Sequence, residues 1–140
     1  MSRVPRQIIQ IGSIEQYLIE RYIIPLLDES VPLSKKNARV NVLVTIVRNI
    51  LMRTPIYQYV FDSIKHEVQY YNQLGYGLEE FSGTSLVDVF SWYNRNVAKK
   101  EGETDTKWIK RVAVVSNIIL SHILVQRLPR EIEIPIETSK

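Results

Sequence analysis

The residue types that most often do chemistry are present in this 140-residue chain, but they do not converge. His66 and His122 are its only histidines. They fall on different predicted helices, and neither has a second ligand at the i+4 spacing of a helical metal site. His66, in Lys65-His66-Glu67, reads as part of a solvated helix face, and His122 as a satisfied, partly buried side chain. Glu79 and Glu80 are adjacent, and adjacent helical residues do not face each other as a paired acid and base must. Cysteine is absent, which excludes disulfides and cysteine-ligated metals. No glycine pattern that cradles phosphate occurs. The pairs Tyr70-Tyr71 and Trp92-Tyr93 could stack on bases, but helical spacing assigns one member of each to the core and the other to a surface or a contact. The expectation is a protein with no catalytic residues, no cofactor, no metal and no small-molecule substrate.

The cations are better organised. Residues 1–53 carry eight Lys and Arg against four acids, whereas residues 54–101 carry four against six. The formal charge of the whole chain is only +3, so the asymmetry matters more than the total and points to an anionic partner on the front half. Lys35, Lys36 and Arg39 cluster at the start of a predicted helix, where they repel the positive end of the dipole; nearby phosphates relieve that conflict. Upstream, Arg3, Arg6 and Arg21 are interleaved with Ile8, Ile9, Ile11, Ile14, Leu18, Ile19, Ile23 and Ile24. A segment this apolar must pack on the bundle, on another copy or on a ligand. The plain alternative for the charges is a solvated face.

These residues have to be positioned by helices. Ser13 with Gln16 has capping-box spacing and starts a helix over 14–27, which Pro25 should kink or end. A linker over 28–33 follows, and Ser34 reads as the cap of a helix over 35–52. Its face of Val40, Leu43, Val44, Val47, Ile50 and Leu51 opposes Asn41, Thr45, Arg48 and Asn49. Thr54-Pro55 marks the next helix start, which carries Tyr57, Phe61, Ile64, Val68 and Tyr71 at helical spacing and stops at Gly75. A loop over 75–83, with a possible turn at 78–81, leads to a helix over 86–100 begun by Ser85 and Asp88, with Lys99 and Lys100 in its last turn. A final helix over 106–128, ended by Pro129, is apolar around nearly its whole circumference. It must be either central or covered by a partner or lipid. Residues 130–140 alternate Glu131, Ile132, Glu133 and Ile134 and read as an extended arm.

The predicted fold is therefore all-α: an N-terminal arm and helix over 1–33, a four-helix bundle over 34–128 and an extended tail over 129–140. A chain of this length buries roughly 68% of its unfolded surface. Eighteen isoleucines and two methionines suit a protein that must survive heat. No secretory signal is read at the start, and the longest apolar stretch, 112–125, falls short of the roughly 20 residues that span a bilayer. The chain is expected to be soluble when made. Both ends look like arms of the kind with which subunits grip neighbours.

In length, layout, isoleucine-rich composition and lack of cysteine, the chain resembles the major coat proteins of filamentous archaeal viruses of the lipothrixvirus and rudivirus kind. Met1–Leu33 would correspond to their basic N-terminal segment and Ser34–Leu128 to their four-helix bundle. The resemblance implies a virion protein, present in the host cytoplasm before assembly. It would pair with a paralogous coat protein and package double-stranded DNA in a helical filament. Arg3, Arg6, Arg21, Lys35, Lys36 and Arg39 would meet backbone phosphates without reading sequence. In enveloped members the far side of the bundle meets lipid, which would cover the last helix. One departure is that the first segment also carries Glu15, Glu20, Asp28 and Glu29; a supporting role beside a more basic paralogue fits as well. Two other readings are a small helical DNA-binding regulator, with Thr54-Pro55 inside a helix-turn-helix variant, and a membrane-surface or protein-interaction module using the last helix.

Overall fold

A computed structural model describes residues 6–10, 16–53, 56, 58–123 and 131–135 of the chain. The fold is all-α. Its helices are α1 (residues 16–27), α2 (Leu33–Arg53), α3 (Gln58–Gln73), α4 (Leu86–Val97) and α5 (Asp105–Ile123). The strands β1 (Arg6–Gln10) and β2 (Glu131–Pro135) form a two-stranded antiparallel ribbon.

The apolar periodicity of α2 and α3 is realised. Val40, Leu43, Val44, Val47, Ile50 and Leu51 are buried, as are Phe61, Ile64 and Val68, while Asn41, Thr45 and Arg48 are exposed. Tyr57 and Thr54-Pro55 lie outside the described residues.

The last helix resolves the choice between core and partner. α5 packs against α1, α2, α3 and α4. Buried residues run all the way round it, from Ile109 and Val112 through Val114 and Val115 to Ile118 and Ile119. Residues 109–120 therefore present no free apolar face to lipid or to a partner; Val125 lies outside the described residues. A helix apolar on all sides belongs at the centre.

What covers its extra side is α1: the helix that precedes the four-helix bundle packs on it, one of the three places its apolar surface could go. Leu18, Tyr22 and Leu26, spaced one turn apart, are fully buried, and α1 packs on α5. Two apolar surfaces that each seemed to need an outside partner cover one another. Pro25 neither ends nor sharply breaks α1. The preceding turn, Ile19–Ile23, widens into a π-helix in which the Ile24 N–H reaches the Ile19 carbonyl, and α-helix resumes over Ile24–Leu27. Such a widened turn is a common accommodation inside a helix, and it makes room for a residue with no N–H and a bulky ring.

The predicted cap at Ser34 is also corrected. The Pro32 carbonyl accepts from the N–H groups of Lys35 (3.1 Å) and Lys36 (3.2 Å), so α2 begins at Leu33 and Ser34 lies in its first turn. The connection before it is closed by Asp28, whose carboxylate accepts from the Ser30 hydroxyl at 2.7 Å and the Ser30 N–H at 2.9 Å. Those bonds hold the Asp28 carboxyl below its ordinary range.

At the other end of the bundle, α3 stops as expected at Gly75, which has φ +91°. The Gly75 N–H bonds to Asn72 O and the Tyr76 N–H to Tyr71 O, the paired bonds of a Schellman cap. No helical turn forms over 78–81. Leu78 exchanges two bonds with the Asn72 amide (2.6 and 3.0 Å), and the Glu79 N–H and carbonyl go to Asn96 (2.9 Å) and the Trp92 indole (2.6 Å). With the backbone groups of Leu78 and Glu79 taken by side chains, a helical turn does not start there.

The Ser85–Asp88 capping box forms as read. α4, however, ends at Val97, short of Lys99 and Lys100, because side chains of α5 take its last carbonyls. Arg111 Nε donates to Asn96 O, Trp108 Nε1 to Val97 O and Arg111 Nη2 to Ala98 O, each at 2.8 Å. Lys99 instead pairs with Asp105. Trp92 and Tyr93 are both fully buried, where one of them was expected at a surface or a contact. Trp92 packs on Phe81 of the loop, and the Tyr93 hydroxyl bonds to Ser116 of α5 at 2.9 Å, so α4 is covered on two sides.

The two segments read as arms, β1 and β2, pair with each other. Arg6 stands opposite Pro135, Ile8 opposite Glu133, Ile9 opposite Ile132 and Gln10 opposite Glu131. β2 also lies against α2.

Candidate anion-binding surfaces

The six cations singled out in the sequence divide into three groups. Arg3 lies outside the described residues, and Arg6 opens β1. Arg21, on the π-helical turn of α1, and Lys35, in the first turn of α2, are exposed, and Arg39 is half-buried. Lys35 and Arg39 are four residues apart on one stripe of α2, and α1 packs beside that helix.

Lys36 does not belong with them. It is only 5% exposed, on the inward side of α2 one turn before Val40. Its ammonium acts on Asp28 across the α1–α2 connection and helps to keep that carboxylate ionised. This burial sets Lys36 apart from the exposed cations, against the expectation that it meets a phosphate.

Two cations that the sequence reading passed over lie at the start of α5. Lys107 is exposed and Lys110 half-buried, three residues apart and hence neighbours on the helix surface. Lys110 pairs with Glu29 at 3.3 Å, tying the α1–α2 connection to α5. Between these lysines and the end of α3 is a groove of about 440 Å³ lined by Leu74, Gly75, Tyr76, Lys107 and Lys110. A second groove, of about 370 Å³, shares Tyr76 and Lys107 with the first and includes Lys100 and Glu101. The signal that could have found the first pair is the one that drew attention to Lys35: cations in the opening turns of a helix oppose its dipole.

The tyrosines beside this groove form a connected series. Tyr70 and Tyr71 meet edge-to-face with ring centres 5.3 Å apart, and Tyr71 and Tyr76 at 5.7 Å. Tyr70 is exposed and Tyr71 half-buried, as expected for that pair. Burial pushes the Tyr71 hydroxyl pKa up, and the Glu67 carboxylate adds to the shift.

The two histidines stand on different helices. His66 is exposed, and His122 is half-buried against Glu67, joining α5 to α3. Among the described residues, no three His, Asp or Glu side chains are grouped to hold a metal ion, and no helix is long and apolar enough to cross a membrane. Comparison with protein-family models, curated proteins and solved structures finds no match to this chain.

Proposed function

We propose that this chain is a structural coat protein that packages double-stranded DNA in a helical filament, as a virion component of an archaeal virus. What supports the reading is that Arg21 of α1 and Lys35 of the adjoining helix α2 are exposed, with Arg39 half-buried one turn beyond Lys35. Arg3 and Arg6 add two further cations in the N-terminal segment of the sequence. These side chains grip phosphates and leave base edges unread. Because α1 belongs to the core, DNA lies against the edge of the bundle, and no free helix wraps around it. Self-association, with further copies or with a paralogous coat protein, runs through the arms.

Binding to duplex DNA of any sequence, titrated against salt, tests the reading. Five phosphate contacts give a log–log salt slope of about −4 to −5 per subunit. Lys35→Ala reduces that slope by about 1. Lys36→Ala leaves the slope unchanged and lowers stability. Absence of duplex binding at low salt, or a dependence on one short sequence, overturns the proposal. Electron microscopy of protein mixed with linear DNA separates filaments from isolated complexes.

A further inference from the structure

The groove between the end of α3 and the start of α5 has a character of its own. Its lining includes two lysines, Lys107 and Lys110, and no acidic residue. The adjoining groove, which shares Tyr76 and Lys107 with it, is mixed, with Glu101 and Glu103 among its walls. The Lys110–Glu29 pair does not neutralise the first groove, because the Glu29 side chain is 83% exposed and a pair this open to water is weak and readily exchanged. The backbone is also accessible there. Gly75 has φ +91°, and a Cβ added to it would meet nothing within 4 Å, so a ligand can approach the chain closely. Leu74, 56% exposed, and the Tyr76 ring supply apolar and aromatic surface next to the charges.

Two cations fit a phosphate, and an adjoining tyrosine with an exposed leucine fits a planar, partly apolar ring. About 440 Å³ lies within the range of small-ligand clefts. We propose that this groove binds a nucleoside phosphate, with the phosphate between Lys107 and Lys110 and the base against Tyr76. The site lies on elements other than the Arg21–Lys35–Arg39 edge and does not depend on the coat-protein reading.

Calorimetric titration of the full chain with ATP, tripolyphosphate, adenosine and a short single-stranded oligonucleotide tests it. ATP binds saturably, tripolyphosphate several-fold more weakly, and adenosine more weakly still. Lys107→Ala, at an exposed position, leaves the unfolding midpoint unchanged and weakens ATP about tenfold, the loss expected for one charge-assisted contact. Tyr76→Leu weakens ATP and leaves tripolyphosphate unaffected. An oligonucleotide that outcompetes ATP assigns the groove to a strand, and one that does not assigns it to the free nucleotide; Lys107→Ala weakens whichever binds. No saturable binding of ATP or oligonucleotide, or binding indifferent to Lys107→Ala, overturns the proposal. Duplex affinity is unchanged in Lys107→Ala, so failure here and failure of the coat-protein reading are distinguishable.

Discussion

Arg111 and Glu103 form an ion pair whose side chains are 2% and 5% exposed, buried beneath the turn that joins α4 to α5. The same guanidinium donates to the carbonyls of Asn96 and Ala98. Glu103 also accepts from the Lys100 N–H at 3.0 Å, so one buried cation ends a helix, closes a turn and anchors the central helix. Removing half of such a pair leaves the other half buried and unsatisfied. Arg111→Met is expected to cost about 3–5 kcal/mol, read from urea unfolding. Glu103→Gln, which keeps the shape and part of the hydrogen bonding, costs less. Equal losses for the two variants would mean that the carbonyl contacts contribute nothing.

The pair also sets a pH dependence. Its hydrogen bond from Arg111 holds the Glu103 carboxyl below its ordinary value, and hydrogen bonds do the same for Asp28 and Asp88. A carboxylate with a depressed folded-state pKa binds fewer protons folded than unfolded. Its stabilisation is complete above the unfolded value and is lost as pH falls through the folded one. The urea midpoint should be flat near neutrality and fall from about pH 5 downward. Glu103→Gln starts lower at neutral pH and declines less steeply. A parallel decline in the two proteins would remove Glu103 from the account.

Whether α1 is part of the bundle or a detachable arm is a question of energy that one side chain answers. Leu18 is fully buried in the core cluster. Leu18→Ala should cost about 2–5 kcal/mol of global stability, the range for a truncated core leucine. If α1 melts separately, the loss appears instead as a second, low-stability transition while the main one is unmoved.

The faces of α2 and α3 were legible because each depends on residues within two turns of one another. The Gly75 stop and the Ser85–Asp88 box were legible for the same reason. What the sequence hid depends on partners far along the chain. α4 contains no glycine or proline to end it at Val97; its end is made by Trp108 and Arg111, on another helix. Trp92 and Tyr93 are both buried because a loop covers one side of α4 and α5 the other, which no single-helix pattern records. Lys36 and Arg39 look alike in sequence, yet one turns toward Asp28 and the core. Of the candidate site, the basic edge at Arg21 and Lys35 was readable as charge density, whereas the Lys107–Tyr76 groove arises only when α3 ends against the start of α5.

The ribbon joins residues more than a hundred positions apart, with Ile9 opposite Ile132, and the absence of cysteine from the chain makes that pairing simple to probe. Directly opposed residues have Cβ atoms about 4.5–5.5 Å apart, near enough to the roughly 3.5–4.5 Å of a disulfide for a small adjustment to close the gap. In the double variant Ile9→Cys with Ile132→Cys, mild oxidation of dilute protein should give a cross-linked monomer that migrates faster than its reduced form. A two-stranded ribbon is marginal alone, and its open edges are a template for other chains. If assembly exchanges arms between copies, oxidation after addition of DNA should instead give covalent dimers and longer ladders. Monomeric cross-links in both states would confine the ribbon to a single chain and require the filament contacts to lie elsewhere on the bundle. No cross-link in either state would remove the pairing itself.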